Sequence, residues 1–345
     1  MACRLRAVVW GLAGMCVLTC LASVRWFALP APAPEVERAA FTSTPAGAVG
    51  YVPPPGVSQE MRWRRETVQG ACAAMYGQSV GVGGGSGGGG LSEAADRLAN
   101  ERKKLINVIV DDKNRVLYCY VPKVACTNWK RVMLILNGAS NKTDPQDIPP
   151  DSVHRKHVFV KLSDLQPDAI RHRLLTYTKF LFVRHPIERV ISAFRNKFEK
   201  NYTSSAYFKK RFAVKIMKKY RKGEAAGSIP SNGHGMHFSE FVSYLIDTKK
   251  ELFNEHWALV STLCNPCQVR YDFIGKYETL AEDSRYIMEQ LGAPPSLHFP
   301  EVVASKTTAV VEAYFNALSP KQQSDLIRIY QNDFRAFDYH FRNLI

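Results

Sequence analysis

Short apolar runs with β-rich composition alternate with longer amphipathic stretches along the chain. The runs predict buried strands at residues 106–110, 116–120, 180–183 and 271–274. Amphipathic spacing predicts helices at 129–136, 190–198, 207–221, 238–246 and 281–291. Because strands alternate with helices, the pattern predicts an α/β fold with a central parallel sheet.

The N-terminal quarter has a different composition. Residues 7–24 form an apolar run long enough to cross a bilayer, after Arg4 and Arg6. We interpret this run as a signal anchor with residues 1–6 in the cytosol; a cleavable signal peptide, favoured by Ala22 and Ser23, is the alternative. Residues 25–90 are rich in Pro, Ala, Gly and Ser and predict a flexible stem, which leaves 91–345 as the folded luminal domain.

The formal net charge of +15 predicts a polyanionic partner. Nucleic acid, an anionic membrane and an acidic glycan all meet this condition. The predicted luminal location and the lack of a nucleic-acid motif exclude nucleic acid, and Asn141 and Asn201 begin glycosylation sequons, which suit the same compartment. The charge therefore favours an acidic glycan.

The first candidate site is a loop between a predicted strand and helix. Backbone N–H groups at a helix start, together with a lysine and short polar side chains, bind phosphate well. An ordinary connection with a solvated lysine is the alternative, and the absence of a GxxxxGK[ST] pattern argues against a kinase or ATPase. The loop residues are Pro122, Lys123, Val124, Ala125, Cys126, Thr127 and Asn128.

A second strand, loop and helix recur downstream and predict a second phosphate site. Arg184 at the strand end and Ser192 on the helix would hold the phosphate, unless Arg184 simply pairs with Glu188. Both loops follow strands, and ligands of parallel sheets bind beyond the carboxyl ends of strands. The segment comprises Arg184, His185, Pro186, Ile187, Glu188, Arg189, Val190, Ile191 and Ser192.

Together the two segments resemble the phosphosulfate-binding elements of the Golgi carbohydrate sulfotransferases, the HNK-1 sulfotransferase-like family. The runs 118–131, 253–257, 264–267 and 275–280 look like the chondroitin 4-O-sulfotransferase branch. The resemblance implies that the first segment holds the 5′-phosphosulfate of 3′-phosphoadenosine-5′-phosphosulfate and the second its 3′-phosphate. His185 departs from the pattern, because relatives usually carry an acidic residue there.

The resemblance also implies a metal-free, in-line transfer. Lys123 would stabilise the charge on the departing phosphate, and a general base would take the proton of the acceptor hydroxyl. Candidate bases are His154, His157 and His256. We rank His154 first, because related heparan sulfate 2-O-sulfotransferases carry their base histidine between the two binding elements; His256 is the second candidate, or binds the sugar together with Trp257.

Five cysteines lie beyond the apolar run: Cys72, Cys119, Cys126, Cys264 and Cys267. The odd number predicts at least one thiol that is free or paired between chains. Cys264 and Cys267 have the spacing of half a zinc site, but a disulfide is favoured in the lumen. We expect no metal and no covalent intermediate on Cys126.

These observations predict a single-pass type II Golgi membrane protein that sulfates position 4 of N-acetylgalactosamine in chondroitin. Dermatan and terminal N-acetylgalactosamine of N-glycans are alternative acceptors. A luminal polyanion-binding protein without activity is the alternative from another class. The basic run at 209–222 favours glycan binding, with a solvated helix face as the other interpretation.

Overall fold

A computed structural model describes residues 56–76, 89–222, 229–301 and 308–340. The strands are β1 Val108–Asp111, β2 Val116–Cys119, β3 Val160–Lys161, β4 Thr178–Val183 and β5 Phe273–Lys276. The α-helices are α1 Val57–Tyr76, α2 Gly89–Asn100, α3 Cys126–Leu136, α4 Pro167–Thr176, α5 Pro186–Phe194, α6 Thr203–Phe208, α7 Val214–Tyr220, α8 Phe238–Asp247, α9 Val260–Cys264, α10 Pro266–Val269, α11 Leu280–Gln290, α12 Thr308–Asn316 and α13 Pro320–Ala336. Two π-helical turns, Arg195–Glu199 and Lys209–Ala213, follow α5 and α6.

The five strands form one sheet in the order β3-β1-β2-β4-β5. β2, β4 and β5 are parallel neighbours, with Leu117 beside Lys179 and Leu181 beside Ile274. β1 pairs antiparallel with both β2 and β3. The sheet is therefore mixed: its centre contains the predicted parallel strands, and the tight turn after Asp111 adds an antiparallel hairpin at one edge.

Aromatic packing fixes the sheet against its helices. Trp129 of α3 is fully buried and contacts Phe180 and Phe182 of β4 at centroid distances of 4.7 and 5.0 Å. Gly275 of β5 lies so close to Phe182 that a Cβ atom would stand 2.3 Å from the ring. The helix that follows β2 is thus held rigidly over the two strands that flank the predicted site.

The segment predicted as a flexible stem contains an ordered helix. Met61, Val68 and Cys72 of α1 are buried in the main core, at a helical spacing that the surrounding Pro and Gly residues obscured. The stem prediction for 25–90 is therefore wrong over Val57–Tyr76. The prediction of order near residue 91 agrees with α2, which begins at Gly89.

Two disulfides connect distant parts of this fold. Cys72 of α1 bonds to Cys267, and Cys119 at the end of β2 bonds to Cys264. Cys126 is free, as the odd number of cysteines predicted. The two cysteines of the CxxC spacing thus bond to different partners, and the disulfide interpretation is confirmed over the zinc half-site.

The predicted anchor at 7–24 lies outside the described residues. Among the residues that the structure does describe, no helix is both long enough and apolar enough to span a membrane.

Candidate active site

The two predicted phosphate-binding segments meet at one edge of the sheet. β2 and β4 are adjacent and parallel, so the loops after Cys119 and Val183 leave the sheet side by side. β5 follows β4 in the same direction and brings Tyr277 and Glu278 to this edge. The expectation that both segments lie beyond the carboxyl ends of strands is confirmed.

The first loop makes its turn with strained backbone. Lys123 has φ 72° and Ala125 has φ 54°, in the left-handed region that residues other than glycine seldom occupy. α3 begins directly afterwards at Cys126, earlier than the predicted start at 129. Thr127 and Asn128 therefore belong to the first turn of a helix, where the positive end of the helix dipole faces the loop.

Arg189 stabilises the loop that contains Lys123 through a hydrogen bond to its backbone. It is 1% exposed and donates to the backbone oxygens of Pro122 at 3.0 Å, Ala258 at 2.6 Å and Glu255 at 3.0 Å. These bonds let Arg189 position the loop and link it to the segment that carries His256. Its predicted contact with the ligand stays a prediction.

Arg184 lies at the end of β4 as predicted. Its guanidinium stacks on the Tyr277 ring at 4.2 Å and donates through Nε and Nη2 to Glu188 at 3.2 and 3.0 Å. The pairing with Glu188 that the sequence left open is present, but it is buried rather than exposed. Ser192 is half-buried and lies one helical turn after Glu188 on the same side of α5.

Several predicted ligand-binding residues have a structural role. Side chains that are fully buried in the apolar core cannot face a ligand, and four predicted positions are of this kind: Val124, Ile187, Val190 and Ile191. Pro186 is the first residue of α5, where its fixed φ suits a helix start. His185 is 3% exposed and packs edge-on against Phe334 and Tyr339. The side chains at these positions therefore pack within the protein, and the donor contacts predicted for these positions stay a prediction.

Several cationic side chains lie near Lys123. Burial, together with repulsion from Lys197, Arg184 and Lys200, lowers the pKa of Lys123 to about 8, although the Cys126 thiolate would raise it. Lys197, which the sequence pattern did not reveal, is 7% exposed and lies in the π-helical turn after α5. A π-helical turn is frequent at functional sites, but its register cannot be read from an amphipathic pattern. The concentration of positive charge fits an anionic ligand.

His154 contacts the first turn of α3. Its Nε2 atom lies 3.0 Å from Thr127 Oγ1, and its Nδ1 atom lies 3.5 Å from Lys130 Nζ. An ammonium can only donate, so Nδ1 accepts and Nε2 carries the proton that is donated to Thr127. Burial, Lys130 and Lys197 lower the pKa of His154 to about 4, against an opposing effect of Asp151.

His256 approaches from the loop before α9. The Oδ1 atom of Asn254 accepts from the backbone N–H of His256 at 3.1 Å and lies 2.7 Å from its Nδ1. Since that oxygen is fixed as an acceptor by the backbone N–H, Nδ1 carries the ring proton and Nε2 keeps its lone pair. Burial, followed by Lys197 and Lys123, lowers the pKa of His256 to about 2.

Three further predictions concern His157, Cys126 and a bound metal. His157 has φ 65° in an exposed loop, with no contact to the site among those the structure describes. Burial raises the pKa of Cys126, although Lys130 and Lys123 oppose this effect, so the thiol form is favoured. No cluster of three or more His, Cys, Asp or Glu suitable for a metal occurs in the described ranges, and the expectation of metal-free chemistry stays a prediction.

The basic run at 209–222 is partly internal. Lys209 is 2% exposed and donates to Asn201 at 2.8 Å, while Arg221 pairs with Glu240 at 2.7 Å and Lys219 with Asp247 at 3.0 Å. Part of this charge therefore stabilises the fold. Asn141 and Asn201, the sequon asparagines, are both exposed, and their glycosylation stays a prediction.

The chain resembles known proteins over about two thirds of its length. A family model described as "Sulfotransferase family" matches residues 107–340. Carbohydrate sulfotransferase 11 of Mus musculus is 42% identical over 246 residues, which cover 70% of this chain and 69% of that protein. Carbohydrate sulfotransferase 14 of Homo sapiens is 42% identical over 250 residues (72% and 64%), and carbohydrate sulfotransferase 8 of Homo sapiens 37% identical over 253 residues (71% and 58%). No solved structure matches the chain.

Proposed function

Because the chain belongs to the sulfotransferase family, and within it to the carbohydrate sulfotransferases, we propose that it sulfates position 4 of N-acetylgalactosamine in chondroitin. The donor of this family is 3′-phosphoadenosine-5′-phosphosulfate. The observation that carries the proposal is the meeting of the Lys123 loop and the Arg184 segment at the carboxyl ends of adjacent strands.

The residues present fit this donor. A loop that turns through left-handed residues into a helix start offers backbone N–H groups to the 5′-phosphosulfate. Arg184 and Ser192 offer a guanidinium and a hydroxyl to the 3′-phosphate. Burial, and after it repulsion from neighbouring cations, lowers the pKa of Lys123; a bound anion would offset both effects and favour the charged form of Lys123.

Lys123 is the residue that we propose to stabilise the leaving phosphate. In sulfuryl transfer the acceptor oxygen forms a bond to sulfur while the bond from sulfur to the phosphate oxygen breaks, and negative charge collects on the leaving phosphate. The Lys123 ammonium would stabilise that charge. The strained loop holds the ammonium in place beforehand, so little reorganisation is needed during the transfer.

His256 is the proposed base, in preference to His154. A base must present a lone pair to the acceptor hydroxyl, and the bond to Asn254 leaves that lone pair on Nε2 of His256. Both ring nitrogens of His154 are engaged, one by Lys130 and the other by Thr127. His154 would then act as a positioning residue for the first turn of α3, and His256 would take the proton that the acceptor releases.

The surface beside these groups suits an acidic polysaccharide. Lys200 is exposed, and its ammonium lies 5.7 Å from the ring of Tyr202, which is 48% exposed. Tyr207 is 56% exposed and carries Arg211 against its ring. Exposed aromatic faces with cations beside them bind sugar rings that carry carboxylates or sulfates. The choice of chondroitin over dermatan or an N-glycan rests on the sequence resemblance.

The cell compartment belongs to the same proposal. Disulfides persist in the secretory lumen, and two are present here together with exposed sequon asparagines. We expect a Golgi membrane protein with a luminal active site and an anchor at residues 7–24.

A panel of acceptors tests the substrate. Desulfated chondroitin, dermatan and a glycan that ends in N-acetylgalactosamine would each receive labelled donor, followed by disaccharide analysis. The proposal predicts label at position 4 of N-acetylgalactosamine, with the highest kcat/KM on chondroitin. Preference for another acceptor would move the assignment to that glycan, and salt-sensitive binding without any labelling would favour the polyanion-binding protein.

Matched histidine variants test the base. His256→Ala should lower kcat by about 10² to 10⁴ while donor affinity changes little, as expected when proton transfer is lost. His154→Ala should mainly raise the donor KM, because Thr127 loses its partner. A collapse of kcat in His154→Ala, with His256→Ala active, would exchange the two roles.

A further inference from the structure

Arg64 of α1 is buried against β5. It is 5% exposed, and its Nη1 atom donates to the Ile274 carbonyl at 3.1 Å and to Asp283 Oδ2 at 2.6 Å. Its Nη2 atom donates to Thr279 Oγ1 at 3.3 Å, and its Nε atom to the more exposed Glu60 at 2.9 Å. A single guanidinium therefore joins the end of β5 to the start of α11.

Asp283 completes this junction. Besides Arg64, its Oδ2 atom accepts from the backbone N–H of Lys276 and from Thr279 Oγ1, both at 2.7 Å. A carboxylate with this many donors fixes the turn between residues 276 and 279. Asp283 is 2% exposed, so removal of Arg64 would leave its charge buried without this ion pair.

The fixed turn carries two contacts to the Arg184 segment. The ring of Tyr277 lies 4.2 Å from the Arg184 guanidinium. Glu278 accepts from the backbone N–H of His185 at 2.8 Å and, on its other oxygen, from the Tyr339 hydroxyl at 2.8 Å. The position of Arg184 thus depends on a turn whose shape Arg64 and Asp283 set.

α1 precedes the part of the chain that the family model matches, which begins at residue 107. The helix is nevertheless attached covalently, since Cys72 bonds to Cys267, and buried contacts of Met61 and Val68 support it. Because α1 is attached to the domain in this way, Arg64 has a defined position.

We propose that Arg64 is a positioning residue for the 3′-phosphate of the donor, acting through Asp283 and Tyr277 on Arg184. The inference rests on the proposed donor site. A helix upstream of the family domain thereby completes the site, and a protein that begins at residue 107 would bind donor weakly.

Two nucleotides that differ only in the 3′-phosphate isolate this effect. Binding of adenosine 3′,5′-bisphosphate and of adenosine 5′-monophosphate would be measured by titration calorimetry on the full chain. Arg64→Met keeps the apolar length of the side chain and removes its donors. It should weaken bisphosphate binding about tenfold, the loss expected for one charge-assisted contact, and change monophosphate binding less than about twofold.

Glu60→Gln is the matched control on the same helix. It removes only the negative charge from the exposed contact of Arg64, so both nucleotides should bind as they do to the wild type. Thr279→Val is a second variant, which removes the hydroxyl between Arg64 and Asp283 with little change in shape, and it should reduce the preference for the 3′-phosphate about threefold. If Arg64→Met does not fold, Thr279→Val alone tests whether the contact between Arg64 and Asp283 affects binding of the 3′-phosphate.

The outcomes separate this inference from the proposed function. A wild-type preference for the bisphosphate that survives unchanged in folded Arg64→Met, or in Thr279→Val, overturns the positioning role alone. Equal weakening of both nucleotides overturns it as well, because a general loss of stability explains that result. No wild-type preference, or a preference retained in Arg184→Ala, overturns the proposed donor site and this inference together.

Discussion

The lowered pKa of Lys123 predicts an unusual alkaline limit to activity. With a pKa of about 8 instead of 10.5, about nine-tenths of Lys123 is charged near pH 7 and about one-tenth near pH 9. If the charged form binds the donor and stabilises the leaving phosphate, kcat/KM for the donor should fall about tenfold over that interval. The shift corresponds to roughly 3 kcal/mol against the charged form, contributed first by burial and then by neighbouring cations.

The pKa values of two histidines determine the acidic side of the same pH profile. His256 and His154 have lowered pKa values of about 2 and about 4, so both are neutral throughout the range in which an ordinary histidine would titrate. Since kcat/KM for the donor reports the free protein, it should show no acidic limb near about pH 6.5. An enzyme whose base is an unperturbed histidine would instead lose activity as the pH falls through that value.

Initial rates of labelled sulfate transfer, measured from about pH 5 to about pH 10 at constant ionic strength, give this profile. Lys123→Arg is the matched control, since its guanidinium stays charged across the range; its rates should be lower but should lack the alkaline fall. A wild-type profile that stays flat to about pH 10, or an alkaline fall that persists in Lys123→Arg, would refute the reasoning.

Three predictions concern stability, each measured by urea unfolding. Arg189→Met should cost at least about 3 kcal/mol and abolish transfer, because the Pro122, Glu255 and Ala258 carbonyls lose their donor; near-wild-type stability would contradict this. Removal of the Cys72–Cys267 disulfide by paired serine substitution should cost about 2–5 kcal/mol, since it closes a separation of 195 residues, and an unchanged midpoint would show that α1 is held by packing alone. Gly275→Ala should cost about 1–3 kcal/mol, because the added Cβ meets the Phe182 ring; a neutral effect would mean that the ring can move aside.

The location of the site could be predicted because it follows from chain order alone. A strand, a short loop and a helix appear twice, and parallel strands bring such loops to one edge of a sheet. The antiparallel pairing of β1 with β2 follows from the tight turn after Asp111, which joins the two strands as a hairpin. What the pattern does not show is which strands become neighbours in the finished sheet.

The roles of individual charged residues could not be predicted from spacing. Arg189 and Arg184 are five positions apart on the same segment, but one is bound to carbonyls beneath the loop and the other reaches toward Tyr277. Lys197 faces the site because a π-helical turn changes the register after α5. Arg64 was hidden because its partner Asp283 lies far away in sequence, and such a pair depends on the complete fold.

Sulfate transfer by the purified protein and by two donor-site variants tests the central claim most directly. Labelled 3′-phosphoadenosine-5′-phosphosulfate and desulfated chondroitin would be incubated with the wild type, Lys123→Ala and Arg184→Ala, each shown to be folded by its unfolding transition. We expect labelled glycan and an equal amount of adenosine 3′,5′-bisphosphate from the wild type, with both products reduced at least about a hundredfold in the two variants. Equal transfer by wild type and variants would contradict the assignment of the site.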